Sequence, residues 1–198
     1  MFLEKLPKSI RIGETDYPIR TDFKTWIKVE SILKDNNIPD SFKLSMIYTI
    51  CDLFYENEDI STESIDAVFD GIFSFWRMYK SINKKAKISH EIAYDYNVDF
   101  DMIVAAFKQQ YNINLFNADM HWFEFKALFD GLGEDTIFKK VVGYRTVDLS
   151  KVPKEQRKEY AELKDFYRIK NDVANRRTPQ EIERELLAKV GDDDGTAI

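Results

Sequence analysis

The stretch that most constrains the fold of this chain covers residues 94–145, where aromatic side chains are concentrated in three helix-like segments. Apolar residues in each segment return at the three- and four-residue spacing of a helix face, so each segment has a side that must be covered. Asn112 suits the left-handed end of the first segment, and Asn117 or Asp119 is expected to cap the second. We predict that the core lies here, with these side chains turned inward: Ile103, Ala106, Phe107, Gln110, Trp122, Phe125, Phe129, Leu132, Ile137, Phe138, Val141 and Val142.

A β-hairpin is predicted near the N-terminus. Residues 9–20 alternate apolar and polar side chains with the two-residue period of a strand, and the sequence turns at Gly13. Pro18 limits the second strand to the edge of a sheet. Because a two-stranded hairpin is marginal in water, we expect it to pack against helices.

Three amphipathic helices are predicted to follow the hairpin and to form a bundle. The first begins at Asp22, the second spans residues 40–55 with Asp40 or Ser41 as its cap, and the third is capped by Ser61. The inward positions expected in the second and third helices are Phe42, Met46, Thr49, Ile50, Leu53, Phe54, Ile65, Val68, Phe69, Ile72, Phe73, Trp76 and Tyr79.

The C-terminal part of the chain is predicted to add one docking helix. Asp148 or Ser150 is expected to cap it, and Pro153 suits its first turn. Its apolar stripe is narrow and its other faces are charged, which favours a helix that docks on the body from outside; the stripe consists of Tyr160, Leu163, Phe166 and Tyr167.

The predicted fold class is therefore mainly α, a helical bundle with a small N-terminal β-hairpin and a C-terminal docking helix. Residues 1–80 are expected to hold the hairpin and the bundle, and residues 94–170 the aromatic-rich helical part. A basic linker is predicted between them over 81–93, where apolar periodicity stops. Residues 171–198 are predicted to form a short helix and an acidic flexible tail.

Composition excludes several classes of function. A net charge of −6 argues against nucleic acid as a main partner, because phosphate binding needs a basic surface. Cys51 is the only cysteine, so it forms no internal disulfide, as is usual in a reducing compartment. The sequence has neither a signal-peptide-like apolar run nor the roughly 18 apolar residues of a membrane span. We expect a cytoplasmic protein with no membrane partner.

Catalytic and metal-binding residues are few. His121 lies in an aromatic helix, where a packed or capping histidine is favoured over a general base or a metal ligand. Acidic and amide side chains at every second position from Asp95 to Asp101 are typical of the start of a calcium loop. Such a loop needs glycine and glutamate where this chain has Phe100 and Ala106, so helix capping is favoured. We expect no enzyme activity, no metal and no cofactor.

Three further features allow two interpretations each. The lysines of the linker are typical of a solvated segment, and contact with nucleic acid or an acidic partner is the alternative. Arg145 is expected to pair with Glu134 or Asp135 rather than to bind a ligand. The wide apolar faces of the helices over 40–55 and 118–132 are expected to be core. The competing interpretation is that some of their aromatic residues line a groove for a partner helix.

The same aromatic stretch resembles a known family. The runs are YDYNVDFDMIVAAFKQQYNINL, HWFEFKALFDGLGEDTIFKKVVGYR and DLSKVPKEQRKEYAELKDFY, over residues 94–167. They resemble the tail assembly chaperones of tailed phages and prophages of Gram-positive bacteria, which are encoded just upstream of the tape measure protein. Phe123 departs from the family, where tryptophan is expected, but keeps the bulk. The motif positions, expected to be structural, are Tyr94, Asp95, His121, Trp122, Phe125, Gly131, Glu134, Asp135, Gly143, Tyr144 and Arg145.

The resemblance implies a mechanical role. Chaperone copies would coat the tape measure protein, keep it soluble and extended, and leave as tail tube subunits polymerise around it. The implied partners are the tape measure protein, with the tail tube protein and other chaperone copies as further candidates. The implied location is the cytoplasm of the bacterial host and not the mature virion. The alternatives are a generic helical regulatory adaptor of phage or host, and an enzyme of unrecognised type that uses carboxylates.

Overall fold

A computed structural model describes residues 6–35, 38–51, 60, 63–80 and 92–169. Within these residues the fold is mainly α-helical with one small antiparallel hairpin, which confirms the predicted fold class. Most of the predicted linker over 81–93, the C-terminal segment over 171–198, and Leu53, Phe54 and Ser61 lie outside them. The elements are β1 Ser9–Ile12, β2 Thr15–Pro18, α1 Phe23–Lys34, α2 Asp40–Ile50, α3 Ile65–Trp76, α4 Tyr96–Tyr111, α5 Trp122–Asp130, α6 Ile137–Thr146 and α7 Arg157–Tyr167.

The chain divides into two compact units. Among the described residues, the first unit contains those up to residue 80 together with Met120–Phe125. The second unit contains residues 92–119 and 126–169. The first residues of α5 therefore belong to the first unit and its later residues to the second. The predicted division of the chain at a linker over 81–93 stays a prediction.

The hairpin of the first unit has the predicted turn. Strands β1 and β2 pair antiparallel, and Gly13 adopts a φ of +58° in the turn, where glycine is favoured. Ile10 and Tyr17 are buried. The hairpin packs against α3 at Gly71, where an added Cβ would lie 3.3 Å from Cδ1 of Ile10. The small side chain at Gly71 thus permits the close approach that the hairpin needs.

Each of the three tryptophans in the first unit donates an indole hydrogen bond to another residue of that unit. The indole N–H of Trp26 donates to the carbonyl of Arg20 at 2.8 Å, and that of Trp122 donates to the carbonyl of Trp76 at 2.9 Å. The indole of Trp76 donates to Glu30 Oε2 at 3.1 Å. A buried indole N–H left without an acceptor would destabilise the fold, so these bonds fix how the rings can pack.

Residues 120–122 are held to the start of α1 by backbone hydrogen bonds. Trp122 N–H donates to the carbonyl of Thr21 at 2.7 Å, and Phe23 N–H donates to the carbonyl of Met120 at 3.0 Å. The rings of Phe23 and Phe125 stack above this junction with centroids 4.8 Å apart. Helix α1 begins just after Asp22, the predicted start, and Asp22 caps it because its carboxylate accepts from Thr25 N–H.

The second unit is built on α4, α6 and α7, with α6 packed against both of the others. Asp95 caps α4 by accepting from the N–H groups of Asn97 and Val98. Asn112 ends α4 with a φ of 56°, the predicted left-handed conformation. Ile103, Ala106 and Phe107 of the predicted face are buried, among the apolar side chains that form the core of this unit.

Several local predictions are wrong. Gln110 was predicted to face inward but is exposed, and its amide bonds the loop at Gly131 and Gly133. Ile65 and Ile137 are also exposed, because they occupy the first positions of α3 and α6. The cap of α3 is Ser64, which accepts from Ala67 N–H. Helix α7 starts at Arg157 and not after Asp148, because Asp148 closes a local turn by accepting from both N–H and Oγ of Ser150. Phe166 of the predicted stripe is 78% exposed.

Candidate partner-binding surface

The aromatic motif at residues 121–125 lies in the core of the first unit. Trp122 and Phe125 are fully buried and stack with centroids 5.9 Å apart. His121 caps α5, a position that the sequence analysis gave to Asn117 or Asp119. Its Nδ1 accepts from Phe123 N–H at 3.0 Å, so the proton is on Nε2, which donates to the carbonyl of Pro7. Burial lowers the pKa of His121, which favours the neutral ring that this geometry requires.

The motif at residues 131–136 forms a tight joint in the second unit. The side chain of Gln110 spans it, donating to the carbonyl of Gly131 at 3.0 Å and accepting from Gly133 N–H at 2.7 Å. Thr136 is buried and caps α6, accepting from Lys139 N–H. Glu134 and Asp135 are exposed on the surface of the joint. The residue types of this motif are therefore explained by the helix end and the helix cap that it contains.

Arg145 belongs to a buried ion pair whose partner the sequence analysis named wrongly. Its guanidinium bonds both carboxylate oxygens of Asp99, at 2.7 and 2.9 Å, and not Glu134 or Asp135. The same guanidinium donates to the carbonyls of Ala93 and Tyr167. A planar five-donor group suits this arrangement, because a buried charge must be both paired and hydrogen-bonded.

The remaining motif positions are aromatic or small. Tyr94 packs edge-on against Phe129, with centroids 5.0 Å apart, and against Phe138. Tyr144 stacks on Tyr167 at 5.8 Å, which joins α6 to α7. Gly143 is exposed in α6, and an added Cβ would meet no atom within 4 Å. Tyr94 and Tyr144 thus lie in aromatic contacts, whereas Gly143 lies on an exposed side of α6.

The aspartates that resemble a calcium loop have other partners. Asp95 caps α4, Asp99 pairs with Arg145, and Asp101 accepts from the adjacent Met102 N–H. Across the part of the chain that the structure describes, no group of three or more His, Cys, Asp or Glu side chains could hold a metal ion. These carboxylates are thus used in helix caps and an ion pair.

The most unusual surface of the first unit is the outer side of α2. Phe42 is 64% exposed and Met46 is 40% exposed, although both were predicted to face the core. Ser45 and Thr49 are exposed on the same side, because residues three, four and seven apart share one helix face. We call these four residues, Phe42, Ser45, Met46 and Thr49, the α2 outer face.

The orientation of α2 is set by a buried lysine. Lys43 is 1% exposed, and its Nζ donates to the carbonyl of Leu33 at 3.3 Å, in the last turn of α1. Carbonyls there lack an intrahelical partner and carry partial negative charge, so a lysine ammonium is stabilised beside them. Ile47 and Cys51, four and eight residues further on, are buried on the same side of α2. Neighbouring residues of a helix point about 100° apart, so burying Lys43 turns Phe42 outward.

The α2 outer face is uncharged and combines two large apolar side chains with two small hydroxyl side chains. The hydroxyl of Thr49 donates to the carbonyl of Ser45 at 2.9 Å, so this group is already satisfied within the helix. Burial raises the pKa of Tyr48, the half-buried neighbour of Thr49, and favours its neutral form. A solvated helix face normally carries charged side chains, and in α2 the lysine lies inside instead.

From the sequence, the apolar face of the helix over 40–55 was expected to be core, and a groove for a partner helix was the competing interpretation. Both sides of α2 carry large apolar residues, so periodicity alone does not decide which side is buried. A lysine is rarely buried, so Lys43 favoured the opposite orientation. One signal was available: α1 ends only a few residues before α2 begins. A lysine at the start of α2 can therefore bond the exposed carbonyls at the end of α1.

Other exposed apolar side chains differ from the α2 outer face in their surroundings. Phe166 lies on α7 with Glu159 and Glu162 on the same face, seven and four residues before it, and both are exposed. Phe116 packs edge-on against Phe100, with centroids 5.8 Å apart. Single exposed apolar residues among charges are ordinary on a protein surface.

The described helices include none that is long and apolar enough to cross a membrane. The fold and this surface define a mainly α-helical protein with an uncharged apolar helix face turned to solvent. A family model described as bacteriophage Gp15 protein matches residues 2–169, and the chain therefore belongs to this phage protein family. Comparison with the curated proteins and with the solved structures gave no match.

Proposed function

We propose that this chain is a tail assembly chaperone that binds the tape measure protein, keeps it soluble, and leaves as tail tube subunits polymerise. The proposal is supported by membership of a bacteriophage family and by the motifs over residues 94–167 that resemble such chaperones. The observation that carries it is the α2 outer face, where Phe42 and Met46 are exposed. A protein that must cover apolar stripes of another chain needs such a surface.

The binding chemistry of this role is weak and repeated. A tape measure protein is a long helical chain with apolar stripes, which aggregates when they are exposed. Each chaperone copy must bind with modest affinity, because the growing tube has to displace it. Many copies on one long chain then supply the strength that each contact lacks, since linked weak contacts multiply their effect. Other chaperone copies and the tail tube protein are further proposed partners.

The role needs no catalysis, and we propose that the chain is not an enzyme and uses no cofactor. His121 and Asp95 serve as helix caps, and Asp99 and Arg145 neutralise each other in the interior, which leaves these groups committed to the fold. We propose that it acts in the cytoplasm of the bacterial host, binds neither nucleic acid nor membrane, and is absent from the mature virion.

Two other functions remain as alternatives. A helical regulatory adaptor of phage or host would use the same apolar face for a different helix. An enzyme that uses carboxylates would need a pair of them free to react. The α2 outer face favours the two binding roles over the enzyme, because it offers contact area and no reactive group.

Co-expression tests the proposed function. The tape measure protein of the same phage is expressed alone, with this chain, and with an unrelated helical protein of similar size. We expect the soluble fraction of the tape measure protein to rise several-fold only with this chain, and the two to co-purify. An adaptor or an enzyme would leave the tape measure protein insoluble in all three cultures.

A further inference from the structure

We infer that the α2 outer face is the surface that receives the partner, and that it takes one uncharged apolar stripe of a long helix. The inference rests on the proposed function and adds how this face receives the partner and which chemistry of stripe it takes. It is carried by Phe42 and Met46, which are exposed, and by Lys43, which is buried on the other side of the same helix.

The shape of the face suits a helix. Phe42 and Met46 are four residues apart and form one ridge, and Ser45 and Thr49 are four residues apart and form a shallow row of small side chains beside it. A partner helix with apolar side chains at three- and four-residue spacing can place its own ridge in that row. Methionine adapts to irregular surfaces, so Met46 allows the face to bind stripes of differing sequence.

The charge of the face selects the stripe. Its four side chains are uncharged, and the lysine of the helix is engaged by the carbonyl of Leu33 on the inner side. A charged residue in the partner stripe would lose water at this face and gain no opposite charge, which is unfavourable. The face therefore prefers stretches in which apolar residues are not interrupted by charges.

The size of the face argues against a second copy of this chain as the occupant. Helix α2 has 11 residues, which is about 16 Å at about 1.5 Å per residue. A large aromatic side chain buries at most about 250 Å², and a stable interface needs about 800 Å² from each partner. Within the described part of α2, the two large side chains of this face fall short of that area. They suit a contact that is weak alone and is repeated along one long partner.

Site-specific photo-crosslinking tests this inference. Phe42 is replaced by the photoreactive aromatic p-benzoylphenylalanine, and the variant is co-expressed with the tape measure protein of the same phage. The matched control carries the same replacement at Phe166, which is more exposed, at 78%, but has Glu159 and Glu162 on its face. After irradiation we expect a strong adduct between the chain and the tape measure protein from position 42. The yield from position 166 should be at least several-fold lower.

The other outcomes are separable. A soluble tape measure protein that crosslinks equally at both positions, only at position 166, or at neither would overturn the α2 face while the proposed function stands. An adduct of two copies of this chain from position 42, with none to the tape measure protein, would make the face an interface between copies. A tape measure protein that stays insoluble with the unsubstituted chain would contradict both the function and the inference.

Discussion

Phe42 and Lys43 are adjacent in α2 and opposite in exposure, with 64% of the phenylalanine and 1% of the lysine accessible to solvent. The lysine ammonium bonds the last turn of α1, and this contact fixes which side of α2 is covered. The arrangement keeps an aromatic residue in water although the same helix offers a charged one. Binding of a partner that covers Phe42 would explain why this aromatic side chain is exposed.

Trp122 is predicted to be a core residue, and replacing it should unfold the first unit. The side chain is fully buried and donates its indole N–H to Trp76. Trp122→Ala should lower the free energy of unfolding by about 3–5 kcal/mol, the usual range for emptying a buried aromatic site. Urea denaturation followed by circular dichroism measures this change in the free energy of unfolding. Ile65→Ala, at a 57% exposed isoleucine of the same unit, is the control and should shift stability by less than about 0.5 kcal/mol.

The opposite result for Trp122 would have a clear meaning. A Trp122→Ala variant with unchanged stability that no longer keeps the tape measure protein soluble would move the binding surface from α2 to α5.

The ion pair of Arg145 and Asp99 is predicted to be needed as a pair. Both side chains are buried, so removing one leaves the other charged in a poorly solvated site. Arg145→Met or Asp99→Leu should each cost about 3–5 kcal/mol, and the double variant should cost less than the sum. Urea denaturation of all four proteins gives the coupling energy. Additive effects would show that the two groups act independently.

Much of this fold could be predicted from the sequence, because local signals were strong. The turn at Gly13 and the left-handed end at Asn112 follow from the conformations that these residue types favour, and the start of α1 at Asp22 follows from the change of period; the structure confirms all three. The buried faces of α3 and α4 follow from periodicity, apart from Ile65 and Gln110, and from Tyr79, which is exposed beyond the end of α3.

The parts that failed depend on distant partners. The partner of Arg145 is Asp99, 46 residues away, and spacing within one helix carries no information about it. The predicted buried side of α2 is wrong. The opposite side is buried instead, where Lys43 bonds a carbonyl of α1. The candidate surface was therefore only the competing interpretation at the level of sequence, since the choice depends on which side of α2 is buried.

Stability is predicted to fall at mildly acidic pH through His121. Burial lowers the pKa of this ring below its ordinary value of 6.5, so the unfolded chain binds a proton more readily than the folded one. The stabilisation is therefore complete above about pH 6.5 and is lost as the pH falls below it. His121→Asn keeps an acceptor for Phe123 N–H and does not titrate, so it should flatten this part of the profile.

Denaturation midpoints from pH 5 to pH 8, with the histidine resonances followed by NMR, check the histidine prediction. A His121 ring that titrates above 6.5, or a variant with the same pH profile as the unsubstituted chain, would contradict it.

The most direct test of the central claim is the double variant Phe42→Gln/Met46→Gln, measured for both stability and protection. Both side chains are exposed, so the free energy of unfolding from urea denaturation should stay within about 0.5 kcal/mol of that of the unsubstituted chain. Phe166→Gln serves as the matched control. We expect the co-expressed tape measure protein to be insoluble with the double variant and soluble with the unsubstituted chain or the control. A stable double variant that protects the tape measure protein as well as the unsubstituted chain would contradict the claim that the α2 outer face binds it.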